Sequence, residues 1–320
     1  MKRPLDADTM SEPLAFLFPG QGSQAVGMGK DLCSRFAVAR EVFAEADAVL
    51  GFALSELCFN GPLEELTLTA NTQPALLAVS YAMTRVLREA LGIEPAWAAG
   101  HSLGEFSALV AAGALGFAAA LRVVRERGLA MQDAVPAGVG SMAAVLGLTP
   151  NDIDSLCREA AHGQVVSAAN FNGGGQVVIA GNREAVERVA ALAKTRGAKR
   201  VVPLTVSAPF HCALMTPAAE RLQRVLDPIA VAPLQFPVIT NVEATACSDA
   251  SRVKALLVRQ VVSPVRWQES IEELARLGCK AAVEVGPGRV LTGLVKRIAP
   301  QIRCTPAEDL DAVRAMAGAA

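Results

Sequence analysis

The stretch "AAGHSLGEFSALVAAG", residues 98–113, sets the fold. A short apolar run ends at Gly100, a serine stands at 102 between Gly100 and Gly104, and an apolar helical pattern follows from Leu103. The pattern G-x-S-x-G after a strand and before a helix is the nucleophile elbow. Small flanking residues there let the serine occupy a sharp turn with its hydroxyl at the head of a sheet. The pentapeptide alone leaves a second reading open, a glycine-rich cap that merely starts a helix.

Outward from this turn, the elements alternate. "LAFLFPG" (14–20) is a short apolar run ended by Pro-Gly, which predicts a buried strand feeding a loop. Helical patterns follow to about Ala90, including a segment from Gln73 in which Pro74 suits a first turn. Strands alternating with helices predict a parallel sheet covered on both faces. From Gly140 the order changes to strand "SMAAVLGL", helix 151–161, strand "VVSAANF", turn "NGGG", strand "QVVIAG", helix 183–196 and strand "KRVVPLTV". That is βαββαβ, the ferredoxin-like split unit, with a hairpin turn at Asn172–Gly175. The sheet resumes with "PVITN" and "AAVEV". The chain therefore reads as α/β, with a large domain over 1–137 and 207–320 and a small ferredoxin-like domain inserted over 138–206.

Composition narrows the function. With 320 residues, 52% of them apolar, the chain can bury a large core and a satellite. A formal charge of −1 with acids and bases interspersed offers no basic face to nucleic acid or membrane. The 7 cysteines are scattered with no CxxC pair, which reads as a reduced, cytoplasmic protein without a disulfide framework or zinc site. The start, "MKRPLDADTMSEP", lacks the apolar core of a secretory signal, and Met10 is a candidate native start. The most apolar run, 106–121, is interrupted by Gly113 and Gly116 and is shorter than the roughly 18 residues a spanning helix needs.

A serine nucleophile needs a base. Among the 3 histidines, His101 adjoins the serine and should project away from it on a sharp turn. His162 ends a helix beside Gly163, where histidine serves the helix terminus. His211, in "SAPFHCALM", follows the small domain on a junction loop, the kind of place where sites concentrate, and is the candidate base. No aspartate stands out to orient it, so a backbone carbonyl is expected to hold the imidazole.

Two polar residues interrupt apolar faces. In "FAAALRVVRERGLAM" (117–131), a helical stripe runs through Phe117, Ala120, Leu121, Val124, Gly128 and Met131. Arg122, Arg125 and Glu126 point away from it, whereas Arg127 falls about 60° from its centre. An inward guanidinium is either an internal salt bridge or a clamp awaiting a ligand carboxylate. Gln260 is the only polar member of the face Val253, Leu256, Leu257, Gln260, Val261, which suits a core-edge glutamine bonded to backbone as well as a site residue. "FPGQGSQAVGMG" matches neither the dinucleotide fingerprint nor the P-loop. Its backbone N–H groups suit an oxyanion hole better. "EVGPGRVL" is a further strand, turn and helix start.

Together "FPGQGSQ", "GHSLGE", "RERG", "NFN", "SAPFHCALM" and "RQVVSPVRW" make the chain resemble the malonyl-CoA:acyl carrier protein transacylase family of bacterial fatty acid synthesis, from about Leu14 to about Arg297. The resemblance implies a large α/β-hydrolase-like domain carrying the inserted ferredoxin-like one. It implies Ser102 as nucleophile, His211 as base and Arg127 as the clamp on the malonyl carboxylate. Gln260 is implied near both, with its own or the next residue's carbonyl orienting His211. The N–H groups of Gln21 and Leu103 would form the oxyanion hole, and Phe210 fits the malonyl-selective pattern over the methylmalonyl one. The implied reaction is ping-pong malonyl transfer from malonyl-CoA to the pantetheine thiol of acyl carrier protein, by a monomer and without a cofactor. Lys194, Arg196, Lys199 and Arg200 form a basic cluster for CoA phosphate or the carrier protein, or a solvated helix end. A serine esterase or thioesterase, a polyketide-pathway acyltransferase and a non-catalytic CoA-binding or acyl-carrier module are the rivals.

Overall fold

Every residue of Leu14–Phe18 (β1) is buried, as a strand in the middle of a parallel sheet with helices on both faces must be. The structure is a computed structural model and describes residues 13–136, 138–204, 206 and 208–317. Met10, Ala137 and Ser207 lie outside the described residues. In chain order the other strands are β2 (Trp97–Gly100), β3 (Gly140–Leu146), β4 (Val166–Gly173), β5 (Gln176–Asn182), β6 (Arg200–Pro203), β7 (Val238–Ile239), β8 (Ala246–Cys247), β9 (Ala281–Glu284) and β10 (Arg303–Pro306).

They form two sheets. The larger has the order β10-β9-β1-β2-β7-β8 and is parallel except for the β7–β8 pair. Alternate residues of β1 feed opposite faces: Leu14, Phe16 and Phe18 join the main core, while Ala15 and Leu17 meet Trp267, Ile271 and Leu294 on the other side. The smaller sheet, β4-β5-β3-β6, is antiparallel throughout, and the helices Pro150–Ala160 and Arg183–Thr195 cover one face over their own core of Ala143, Val145, Ile153, Ile179 and Val189. The expected βαββαβ order is present.

One helix begins earlier than its proline suggests. Thr69–Arg85 contains Pro74 inside it, where proline removes the N–H that would bind the carbonyl of Ala70. Arg125 Nη1 donates to that carbonyl at 2.8 Å, so the helix runs four residues further back than a first-turn proline would place it. The small sheet is tied to the large part at its β4 edge. There Phe171 N–H donates to Val265 O and Val265 N–H to Ala169 O, both at 2.9 Å, just beyond the helix Val253–Val262 that carries Gln260.

Candidate active site

Ser102 sits between β2 and the helix Leu103–Ala111 with φ 53° and ψ −104°, a positive-φ conformation outside the common wells that costs a non-glycine residue of order 1–3 kcal/mol. The flanking glycines are steric requirements. A Cβ on Gly100 would lie 1.9 Å from the carbonyl carbon of Gly104, and one on Gly104 would lie 2.0 Å from Phe18 O. The turn brings Ser102 Oγ to 2.8 Å from His211 Nε2, across 109 residues of chain. His211 Nδ1 lies 2.9 Å from the backbone carbonyl of Gln260. A carbonyl can only accept, so Nδ1 carries the proton and Nε2 is free to accept from the serine hydroxyl.

Arg127 is 2% exposed. The oxygens it holds are all neutral: Gln73 Oε1 at 2.8 Å, Gln260 Oε1 at 2.9 Å and Ser102 Oγ at 3.1 Å. Its Nε has no hydrogen-bond partner among the described residues, and its guanidinium carbon lies 5.3 Å from the Phe106 ring centroid. Of the two sequence readings, the internal salt bridge is not what the geometry shows. Burial, partly offset by Glu105, holds the guanidinium down at about 10, so it is still a cation at neutral pH.

Burial and the nearby Arg127 charge push His211 down to about 3. The imidazole is therefore neutral over the physiological range, as an acceptor for the serine proton must be. Glu105, 2% exposed, is raised by burial to about 7, against the lowering effect of its hydrogen bonds and of Arg127. Its Oε2 accepts from Gln260 Nε2 at 2.6 Å and from Asn241 N–H at 3.2 Å. Gln260 Nε2 also donates to Ser102 O at 2.9 Å.

A cavity of about 120 Å³ opens over the serine, lined by Gln21, Gln73, Ser102, Leu103, Arg127, Phe210 and His211 among others. Gln260 lies behind its wall, fully buried. Leu103 is the first residue of its helix, so its N–H has no intrahelical carbonyl to bind. Gln21 reaches the cavity from the loop after β1, its side-chain amide donating to Thr69 Oγ1 at 3.2 Å. A second cavity, about 220 Å³, shares Gln21, His101, Asn170 and Leu204 with the first and continues past Asn172, Gln176 and Leu291.

The other histidines stand apart from the serine–histidine pair, although His101 lines both cavities. His101 Nε2 pairs with Asn172 Oδ1 at 2.9 Å and its ring packs 5.6 Å from Trp267. His162 is exposed with φ 44°. Lys194, Arg196, Lys199 and Arg200 are all exposed, and Arg196 pairs with Glu159 at 3.2 Å. Gln73, Glu105 and Asn241 are site residues that the sequence reading does not single out. Gln73 is obscured by the proline beside it, and Glu105 by a helix buried at every position, which leaves no polar face for contrast. Among the described residues no cluster of three or more His, Cys, Asp or Glu could hold a metal ion, and no helix is long and apolar enough to cross a membrane.

A strand-ended serine, a neutral histidine and a buried guanidinium around one cavity suit acyl transfer, and residues 15–314 match the acyl transferase domain family. The chain is an acyltransferase. The malonyl CoA-acyl carrier protein transacylase of Salmonella typhimurium is 52% identical to it over 284 residues, 89% of this chain and 92% of that one. Its namesake from Escherichia coli is 50% identical over 301 residues, 94% and 97% of the two chains. A crystal structure of an acyl carrier protein S-malonyltransferase from Vibrio cholerae aligns with a TM-score of 0.91 at 51% identity, covering 94% of this chain and 99% of that one. A type II PKS acyl-carrier protein in complex with its malonyl-transacylase supplies another likeness, with a TM-score of 0.89, 51% identity, and 92% and 94% coverage. The chain belongs to the malonyl CoA-acyl carrier protein transacylase family.

Proposed function

We propose that this chain moves the malonyl group from malonyl-CoA to the pantetheine thiol of an acyl carrier protein through an ester on Ser102. The observation that carries the reading is the buried Arg127 guanidinium 3.1 Å from Ser102 Oγ. A cation placed beside the nucleophile selects an acyl group that ends in a carboxylate.

The steps follow from the geometry. His211 Nε2 takes the Ser102 proton as Oγ attacks the thioester carbonyl, and Gln260 O steadies the resulting imidazolium through Nδ1–H. The tetrahedral oxyanion rests on the N–H groups of Leu103 and Gln21. The carbon–sulfur bond breaks, and the CoA sulfur leaves with the proton from Nε2. The carrier thiol then gives its proton to His211, attacks the serine ester, and Ser102 leaves reprotonated. No cofactor enters this balance. Phe210, 8% exposed at the cavity wall, narrows the space beside the acyl α-carbon and so disfavours a methyl branch. The pantetheine arm of each thiol substrate approaches along the second cavity, and the whole site is built by one chain, which fits a monomer.

On this reading the large sheet with its elbow is an α/β-hydrolase-like domain over 1–137 and 207–320. The strand order β4-β5-β3-β6 supports a ferredoxin-like domain over 138–206. The free cysteines fit the cytoplasm. A second acceptor, the carrier protein of a polyketide pathway, is favoured by the 51% identical transacylase bound to a type II PKS carrier.

Intact-protein mass after brief mixing with malonyl-CoA tests the reading. One malonyl group should appear on the wild-type chain, none on Ser102→Ala, and it should vanish when holo acyl carrier protein is added. An adduct that hydrolyses to water in place of moving to the carrier would make the chain a thioesterase.

A further inference from the structure

We infer that Asn241 is a positioning residue for the nucleophile, its side-chain amide standing in for a strand at the point where β2 turns into the elbow; this rests on Ser102 being the acylated residue. Asn241 Oδ1 accepts from Ser102 N–H at 2.7 Å, and its Nδ2 donates to Gly100 O at 2.6 Å. One amide thus holds the backbone on both sides of His101.

The pattern is that of a parallel ladder. There, every second residue of one strand accepts from the N–H of one neighbour-strand residue and donates to the C=O of the residue two before it, and the bond from Ala98 N–H to Pro237 O puts position 241 in that phase. β2 and β7 pair in the register Ala98↔Val238 and Ala99↔Ile239, which continued would set His101 opposite Asn241. The backbone of 241 has left the ladder by then. Its N–H goes to Glu105 Oε2 at 3.2 Å, and its carbonyl accepts from Arg266 N–H at 3.0 Å. The side chain supplies the missing rung instead, from a backbone pinned on both sides and with 1% exposure.

The consequence for chemistry is direct. The positive-φ Ser102 conformation is under strain, and two short bonds from one rigid group oppose its relaxation. With Ser102 N–H engaged, the N–H of Leu103 becomes the elbow's donor toward an oxyanion. Loss of the amide lets the turn relax, which misplaces Oγ against His211 and Leu103 N–H against the substrate carbonyl, while the cavity that binds malonyl-CoA keeps its lining residues.

The test is single-turnover malonyl loading, followed by rapid-quench mass measurement, on the full-length wild type, Asn241→Ala and the isosteric Asn241→Asp, which keeps only an acceptor. The expected result is a loading rate constant lowered about tenfold or more, equal to about 1.4 kcal/mol of barrier, in each variant that folds. Half-saturation by malonyl-CoA should stay within about twofold and the amplitude near that of wild type. A role confined to stability would lower the amplitude and leave the rate constant of the folded fraction unchanged; that result, in whichever variant folds, overturns the inference. Absence of an adduct on wild type, by contrast, overturns the serine mechanism itself.

Discussion

Arg127 and Glu105 face each other across a single amide: Gln260 Oε1 accepts from Arg127 Nη2 at 2.9 Å, and Gln260 Nε2 donates to Glu105 Oε2 at 2.6 Å. A buried cation and a buried carboxyl are thereby coupled without touching. Among the described residues no acid pairs with the guanidinium edge near Ser102, which on the proposed reading leaves that edge to the substrate carboxylate.

Arg127→Ala should therefore separate substrates. Removing one side of a buried charge pair costs about 2–4 kcal/mol, or about 30- to 1,000-fold in rate, and only a substrate with a carboxylate pays that cost. Malonyl loading should fall by this amount while acetyl loading changes little. Equal losses with the two acyl groups would show that Arg127 merely holds the wall together.

Glu105 makes stability depend on pH with an unusual sign. Its folded pKa of about 7 lies above the ordinary glutamate value near 4.5, so the folded chain binds more protons between those values and loses stability as pH rises through them. The difference amounts to about 3 kcal/mol at most, at 1.36 kcal/mol per unit. His211 acts oppositely: its folded pKa of about 3 lies below 6.5, so stability rises with pH across that window. The two slopes offset each other where they overlap. Glu105→Gln keeps an oxygen for both N–H donors, and thermal melts should show its stability relative to wild type increasing from pH 5 to pH 8. A constant difference across that range would place the proton elsewhere.

The neutral His211 also shapes the rate profile. Loading of Ser102 should show no acid limb at the ordinary histidine pKa near 6.5; an inflection near 7 that disappears in Glu105→Gln belongs to the carboxyl. A limb near 6.5 that persists in Glu105→Gln would mean that His211 is not held down. In Arg127→Ala the repelling cation is gone, so the acid limb should move up toward neutrality.

How far these features can be read from the sequence depends on contrast. Arg127 and Gln260 stand out as single polar residues on apolar helical faces, and both are buried. β1 and β2 follow from short apolar runs ended by turn residues and set between helical patterns, and the βαββαβ order from the alternation of strand and helix patterns around a glycine-rich turn. β7, two residues long, falls inside the run "PVITN" that reads as a strand, whereas β8 has two residues, too few for any period, and β10 is a four-residue edge. Asn241 lies in a turn after β7 with no pattern around it, and its partners are 139 and 141 residues away. Only the register of two parallel strands explains why an asparagine is needed there.

The elbow glycines allow a steric test. Gly104→Ala would place a methyl 2.0 Å from Phe18 O, a backbone atom of a fully buried strand. The sheet or the turn must give way, and the melt should show a loss of about 2–4 kcal/mol. A Gly104→Ala chain with wild-type stability would mean that the elbow has room that these positions deny.

The pairing of Pro74 with Arg125 can be checked by a double-mutant cycle. Arg125 Nη1 donates to Ala70 O at 2.8 Å, the carbonyl that Pro74 leaves without an intrahelical donor, and its guanidinium also meets Asn71 Oδ1 and the Phe52 ring. Arg125→Ala should cost about 1–3 kcal/mol where that carbonyl is left unsatisfied. In a Pro74→Ala background the restored N–H can take over, so the same replacement should cost about 1 kcal/mol less. The contacts to Asn71 and Phe52 are lost in both backgrounds and cancel. Equal costs in urea unfolding would show that the carbonyl has another donor, and that Arg125 stabilises the helix Thr69–Arg85 through Asn71 and Phe52 alone.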